Sequence, residues 1–296
     1  MPAPGKHTIR FLGTGASCGV PSFYCGCKAC EEALSNPAAR RGSAALLITG
    51  TERTLIDAGP SLRMQLSLAR AQDIDRVVLT HEHFDHIGGL AEFEYYVRLR
   101  SKEPLALYGC ERTLAAISEQ FAYMAETLNP HCIEAWQRLE FDGLSYTALP
   151  ATHGSQTFGF LIEKAEEGRS LDTTERGLRL EKAEKGSKPD KAEGASRRVA
   201  YFPDTGQLVP EVREVLKGID VLIIDATFHG ENWMPASHLN IDEAVQLAGE
   251  LEAGKTFLTH LSMHYDEPIT ARELQELLAP YKGAVLAAND GLELLL

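Results

Sequence analysis

The feature that most restricts how this chain can fold is a short apolar strand running straight into a crowd of metal-ligand side chains. Residues 76–80, Arg-Val-Val-Leu-Thr, read as a buried strand, and His81-Glu82-His83-Phe84-Asp85-His86 follows at once. Three imidazoles and the Asp85 carboxylate, all within six residues, converge on one point only if the strand ends in a tight loop. Neutral imidazole suits zinc, manganese or iron, and a carboxylate adds a hard oxygen ligand. A run of polar surface residues has no reason to start at the end of a buried strand or to pass into Ile87-Gly88-Gly89-Leu90. The cluster therefore reads as the catalytic site of a metal-dependent hydrolase.

Four ligands in one loop suit a pair of metals, with His81 and His83 on one and Asp85 and His86 on the other. Further ligands must come from distant segments. Three candidates stand just after predicted strands in the same manner: His153 after 144–149, Asp204 after 198–202 and His260 after 256–258.

Apolar runs predict further strands at 8–12, 43–49, 54–56, 105–108, 158–162, 221–224 and 284–288. Helical spacing appears at 29–34, 61–71, 113–126, 210–216, 241–251 and 270–278, with Ser61 placed to cap the second of these. Hairpins mixed with strand–helix alternation predict one α/β domain over residues 1–296, with two sheets covered by helices. One stretch departs from this pattern. Residues 164–198 hold 10 Lys/Arg and 8 Asp/Glu with few large apolar residues. Such a segment cannot bury much apolar area, so a flexible insertion or an extended hairpin tip is expected.

Cys25-Gly26-Cys27-Lys28-Ala29-Cys30 forms a second constellation. Three thiols at this spacing suit a tetrahedral metal with one ligand missing, and His264, four residues after His260, is the candidate fourth. A closed Cys3His set leaves no open position and reads as structural zinc. The competing reading is a reactive or disulfide-forming group. Cys18, Cys110 and Cys132 are scattered and are expected to be packing residues.

The formal net charge is -13, which disfavours tracking along a nucleic-acid backbone. It leaves room for a small anionic substrate, because bound metal ions dominate the field inside a site. No apolar run approaches the roughly 20 residues of a membrane span, and the first residues lack the apolar core of a signal peptide. A cytoplasmic location with reduced thiols is the default expectation.

Taken together, these residues resemble the metallo-β-lactamase superfamily over nearly the whole chain: an H-x-H-x-D-H loop, then a His, a bridging Asp and a late His, in that order. The resemblance implies an αββα sandwich. It implies that His81, His83 and His153 bind one divalent ion, that Asp85, His86 and His260 bind a second, and that Asp204 bridges them. Asp57, in Leu55-Ile56-Asp57-Ala58-Gly59, looks like the family's early structural Asp, which orients the His loop rather than binding metal.

The pairing of Phe11-Leu12-Gly13-Thr14-Gly15, the C-x-C-x-x-C loop and H-x-H-x-D-H is similar to the PhnP branch of that superfamily. Segment 151–163 also looks like this branch. It implies a phosphodiesterase of small cyclic phosphates with two catalytic metals, zinc or manganese, one structural zinc, and pairing into a homodimer. Asp225-Ala226-Thr227-Phe228 followed by Ser237-His238-Leu239-Asn240 resembles the acid-plus-His arrangement of phosphodiesterase members. That implies His238 as general acid, with Asp225 fixing its tautomer and Asp85 orienting the nucleophile or taking its proton. Two departures stand out: the charged stretch, and a spacing from His260 to His264 one residue longer than the pattern. The competing readings are RNA 3′-end processing, thioester or lactone hydrolysis, a PqqB-like accessory role, and a non-catalytic metal-binding protein. The Cys loop and the acidic balance count against RNA, and the complete H-x-H-x-D-H set counts against PqqB.

Overall fold

The computed structural model describes residues 7–154, 156–165, 197–265 and 267–296. Most of the charged stretch, residues 166–196, lies outside the described residues. Its expected flexibility is therefore an expectation about residues that are not described.

Strands in chain order are β1 (Thr8–Gly13), β2 (Ala45–Thr49), β3 (Arg53–Ile56), β4 (Arg76–Val78), β5 (Leu105–Gly109), β6 (Leu128–Cys132), β7 (Arg138–Phe141), β8 (Leu144–Ala151), β9 (Thr157–Lys164), β10 (Val199–Phe202), β11 (Val221–Asp225), β12 (Lys255–Thr259), β13 (Val285–Ala287) and β14 (Glu293–Leu295). Helices are α1 (Lys28–Ser35), α2 (Leu62–Ala69), α3 (Phe84–Ile87), α4 (Phe93–Tyr96), α5 (Glu111–Gln120), α6 (Pro210–Leu216), α7 (Ile241–Glu250) and α8 (Ala271–Leu278). One sheet has the order β14-β1-β2-β3-β4-β5-β6 and the other β13-β12-β11-β10-β9-β8-β7. Both are mixed. β3 to β6 pair in parallel, as do β10 to β13, and the hairpins pair antiparallel.

The apolar runs follow from burial on both faces of each sheet. In β10, Val199 and Tyr201 enter the layer between the sheets, while Ala200 and Phe202 enter the layer under the helices. β11 repeats this, with Val221 and Ile223 inside the sandwich and Leu222 and Ile224 beneath the helices. A third apolar layer, with Leu55, Leu62, Val77, Phe93 and Ile117, lies on the outer face of the first sheet. The arrangement is the expected αββα sandwich. No helix among the described residues is long and apolar enough to cross a membrane.

Some local expectations are corrected. Ser61 precedes α2 but makes no side-chain cap, because its backbone is already helical at φ -83°, ψ -1°. The helix expected over 113–126 begins at Glu111 and ends at Gln120, where Phe121 leaves helical geometry and turns its ring into the buried layer. Cys132 is exposed rather than packed, and Cys18 is half-buried. β6, β7, β14 and the short helices α3 and α4 are not legible as elements in the sequence. β6 contains Pro130, which is tolerated because β6 is an edge strand.

Candidate metal centre

Each candidate ligand leaves the C-terminal end of a strand, and the two stacked sheets bring those ends to one rim. After β4 the chain continues through buried Leu79, Thr80 and His81, and α3 then carries Asp85 and His86 inward. His153 follows β8, Asp204 follows β10 and His260 follows β12. Gly59 lets the loop close. A Cβ there would stand 2.0 Å from the Asp85 carbonyl oxygen, so a side chain at 59 would displace the ligand loop.

Two groups of donors result. Ligand atoms of His81, His83 and His153 lie within 4.8 Å of one another, and so do those of Asp85, His86, Asp204 and His260. Asp204 Oδ2 stands between the groups, 2.7 Å from His86 Nε2, 3.2 Å from His260 Nε2 and 3.5 Å from His81 Nε2. Asp85 Oδ2 is 3.2 Å from His260 Nε2 and 3.4 Å from His86 Nε2. His83 is exposed while the other six are buried, so the centre opens at His83.

Surrounding groups fix which imidazole nitrogen faces inward. His153 donates its Nδ1 hydrogen to the Ser237 carbonyl at 2.8 Å, which leaves Nε2 for the centre. His86 Nδ1 meets Asp57 Oδ2 at 2.9 Å, His81 Nδ1 meets Thr80 Oγ1 at 3.0 Å and His260 Nδ1 meets Thr227 Oγ1 at 2.9 Å. Thr80 and Thr227 were not singled out from sequence, and a threonine beside a histidine gives no pattern that would do so. The Asp57 contact is the one its likeness to the family's early Asp implied.

The fit to a divalent cation rests on these donors. His81 Nε2 is buried without a hydrogen-bond partner, and His86 Nε2 faces Asp204 without hydrogen-bond geometry. Buried polar atoms left this way point to an ion that takes their lone pairs. The charges agree. Burial, with His86 nearby, pushes His81 well below the usual histidine range, so its imidazole is neutral. Burial would raise Asp85 and Asp204, but the neighbouring histidines outweigh it and hold both carboxyls below their usual range.

His238 stands beside this set. Its Nδ1 lies 2.9 Å from Asp225 Oδ2 and 3.1 Å from Asp204 Oδ1. Burial lowers its pKa, but Asp204 and Asp225 outweigh that and raise it to about 10. Asp225 is itself fixed by the backbone N–H groups of Thr205, Thr227 and Leu239.

The cysteine cluster is brought together in part. Ligand atoms of Cys25, Cys30 and His264 lie within 4.8 Å of one another, with Cys30 Sγ 3.6 Å from His264 Nδ1. Cys27 neighbours Cys25 and Cys30 but stands outside that mutual set. Burial pushes the Cys30 thiol up to about 12. His264 Nε2 is buried without a partner.

Two stacked mixed sheets with a His/Asp cluster on one rim define a hydrolase of the metallo-β-lactamase fold. A family model described as beta-lactamase superfamily domain matches residues 52–261, and the chain belongs to that superfamily. It is similar to coenzyme PQQ synthesis protein B of Methylobacterium radiotolerans, 27% identical over 97% of this chain and 99% of the relative. It is similar to ribonuclease Z of Archaeoglobus fulgidus, 27% identical over 86% of this chain and 92% of the relative. The octanoyltransferase of Porphyromonas gingivalis is 27% identical over 95% of this chain, but the match spans only 50% of that relative's length. Among solved structures, a diphosphatase from the PhnP family superposes with a TM-score of 0.77 and 25% identity, covering 98% of this chain and 97% of that one.

Proposed function

We propose that the protein is a metal-dependent phosphodiesterase acting on a small, cyclic phosphodiester. The observation that carries this is the His238–Asp225 pair set into the wall of the metal centre. Such a pair is a proton donor, and a diester with an alkoxide leaving group is the class of substrate that needs one. The similarity to a PhnP-family diphosphatase supports phosphoryl chemistry.

In this reading His81, His83 and His153 hold one divalent ion, zinc or manganese, and Asp85, His86 and His260 hold a second, with Asp204 shared. When bound, such ions supply Lewis acidity and lower the pKa of water to about 7. Asp85 orients the attacking water and takes its proton. His238 gives its proton to the departing oxygen as the P–O bond breaks, and Asp225 holds the imidazole for that transfer. Cys25, Cys30 and His264 hold a structural zinc, joined by Cys27 if its thiol turns inward.

Replacing His238 with Ala tests the assignment. Turnover of alkyl diesters should fall by roughly 10²–10⁴-fold, the usual worth of a general acid. Aryl diesters with good leaving groups should lose much less. Equal losses on both would remove His238 from the acid role. A thioester and an RNA precursor assayed in parallel distinguish the superfamily's other reactions.

A further inference from the structure

The loop that delivers His238 also carries an indole with no part in the reaction. This loop is fastened from several sides. Ser237 and His238 donate their backbone N–H groups to the Met234 carbonyl at 2.9 and 3.0 Å, and Ser237 accepts from His153. Asn232 Nδ2 donates to the His238 carbonyl at 2.8 Å and to Glu243 at 2.6 Å. Trp233 sits in the middle of this brace and is still 53% exposed. Its ring centroid is 5.0 Å from Phe228 in a tilted contact and 5.9 Å from Tyr265 in an edge contact, so neither neighbour covers it by stacking. Phe228 in turn meets the His238 ring at 5.9 Å. The indole is thus two ring contacts from the proposed proton donor.

A rigid loop holding a half-exposed tryptophan has already met the ordering cost that a ligand would otherwise impose. The oxygen that receives the proton of His238 belongs to the leaving alcohol, and Trp233 is the half-exposed ring on the loop that delivers His238. We propose that Trp233 is a stacking platform for a planar base carried by the leaving sugar, so that the substrate is a nucleoside phosphodiester rather than a bare sugar phosphate. This rests on the phosphodiesterase reading above. Stacking of a base on an aromatic side chain contributes about 1–3 kcal/mol and tolerates any base.

Two diesters alike at phosphorus test it: adenosine 2′,3′-cyclic phosphate, and methyl ribofuranoside 2′,3′-cyclic phosphate, which lacks the base. Trp233→Ala in the metal-loaded protein should lower the preference for the adenosine diester about tenfold, chiefly through KM, and Trp233→Phe should restore most of it. In a Trp136→Phe background, whose remaining tryptophan is Trp233, adenosine 5′-monophosphate should quench fluorescence saturably. Equal effects of Trp233→Ala on both diesters, or absence of quenching, would overturn the platform. So would a fall in sedimenting mass on Trp233→Ala, which would show that the indole joins two copies of the chain. Should the unaltered protein turn over neither diester, the phosphodiesterase reading fails on its own, and the quenching still decides the platform.

Discussion

Asp57 accepts from His86 Nδ1 at 2.9 Å through one carboxylate oxygen and from the Thr80 backbone N–H at 2.9 Å through the other. One side chain thereby ties the start of the ligand loop to its end. Asp57 holds a left-handed backbone at φ 65°, a conformation Asp tolerates better than most residues. Asp57→Asn keeps the shape but offers one acceptor oxygen instead of two. Affinity for catalytic metal, measured by chelator competition, should fall about 10- to 100-fold. Unchanged affinity would show that the loop holds its ligands without Asp57.

The β7–β8 turn pins one sheet to the other. Asp142 accepts from Thr51 Oγ1, from the Glu52 backbone N–H at 3.1 Å, and lies 3.3 Å from His7 Nε2. Burial would raise its carboxyl, but Thr51, Glu52 and His7 outweigh it and hold the pKa below the ordinary value. A carboxylate whose pKa is lowered on folding contributes stability above its unfolded pKa, about 3.9, and that contribution is lost as pH falls through the lowered value. Asp142→Asn should cost about 1–2 kcal/mol at pH 7 and less in acid. The turn itself should survive, because Asn accepts the left-handed φ of 51° at this position. Urea unfolding at pH 7 and pH 3 checks this, and a cost equal at both would refute the pinning role.

The cysteine cluster makes a ranked prediction. Cys30→Ala and His264→Ala should each release the ion this cluster is proposed to hold, whereas Cys27→Ala should retain most of it, because Cys27 lies outside the mutual set. Cobalt substitution followed by the intensity of thiolate charge-transfer bands counts the sulfurs directly. Equal loss from Cys27→Ala would make this a three-thiolate site.

The sequence made the sandwich and the rim legible for one reason: the ligands follow strands, and those strands are apolar on both faces. β10 and β11 needed no alternation to be recognised. What escaped was short or locally contradictory. β6 contains Pro130, β14 is three residues long, and Gly88-Gly89 obscured the helical spacing of Phe93 and Val97. β7 was missed although Phe141-Asp142-Gly143-Leu144 is an Asp-Gly hairpin turn, with both central residues at positive φ. In the site, the ligand types were visible from their spacing. The hydroxyls of Thr80 and Thr227 were not, since they act only through contacts made by folding.

β9 leaves the rim near His153 and β10 returns to it at Asp204, so the hairpin ends at Lys164 and Val199 lie at the opposite edge of the sheet. The length of β9 puts about 23 Å of strand between them and the ligand rim. The Arg198–Glu163 ion pair, at 2.8 Å, joins the two strands where the charged stretch leaves and returns. The described chain thus leaves β9 and re-enters β10 at the strand ends opposite the ligand rim. A fluorescent reporter or an affinity handle attached at exposed Lys164 would therefore stand at the strand ends remote from the ligand rim.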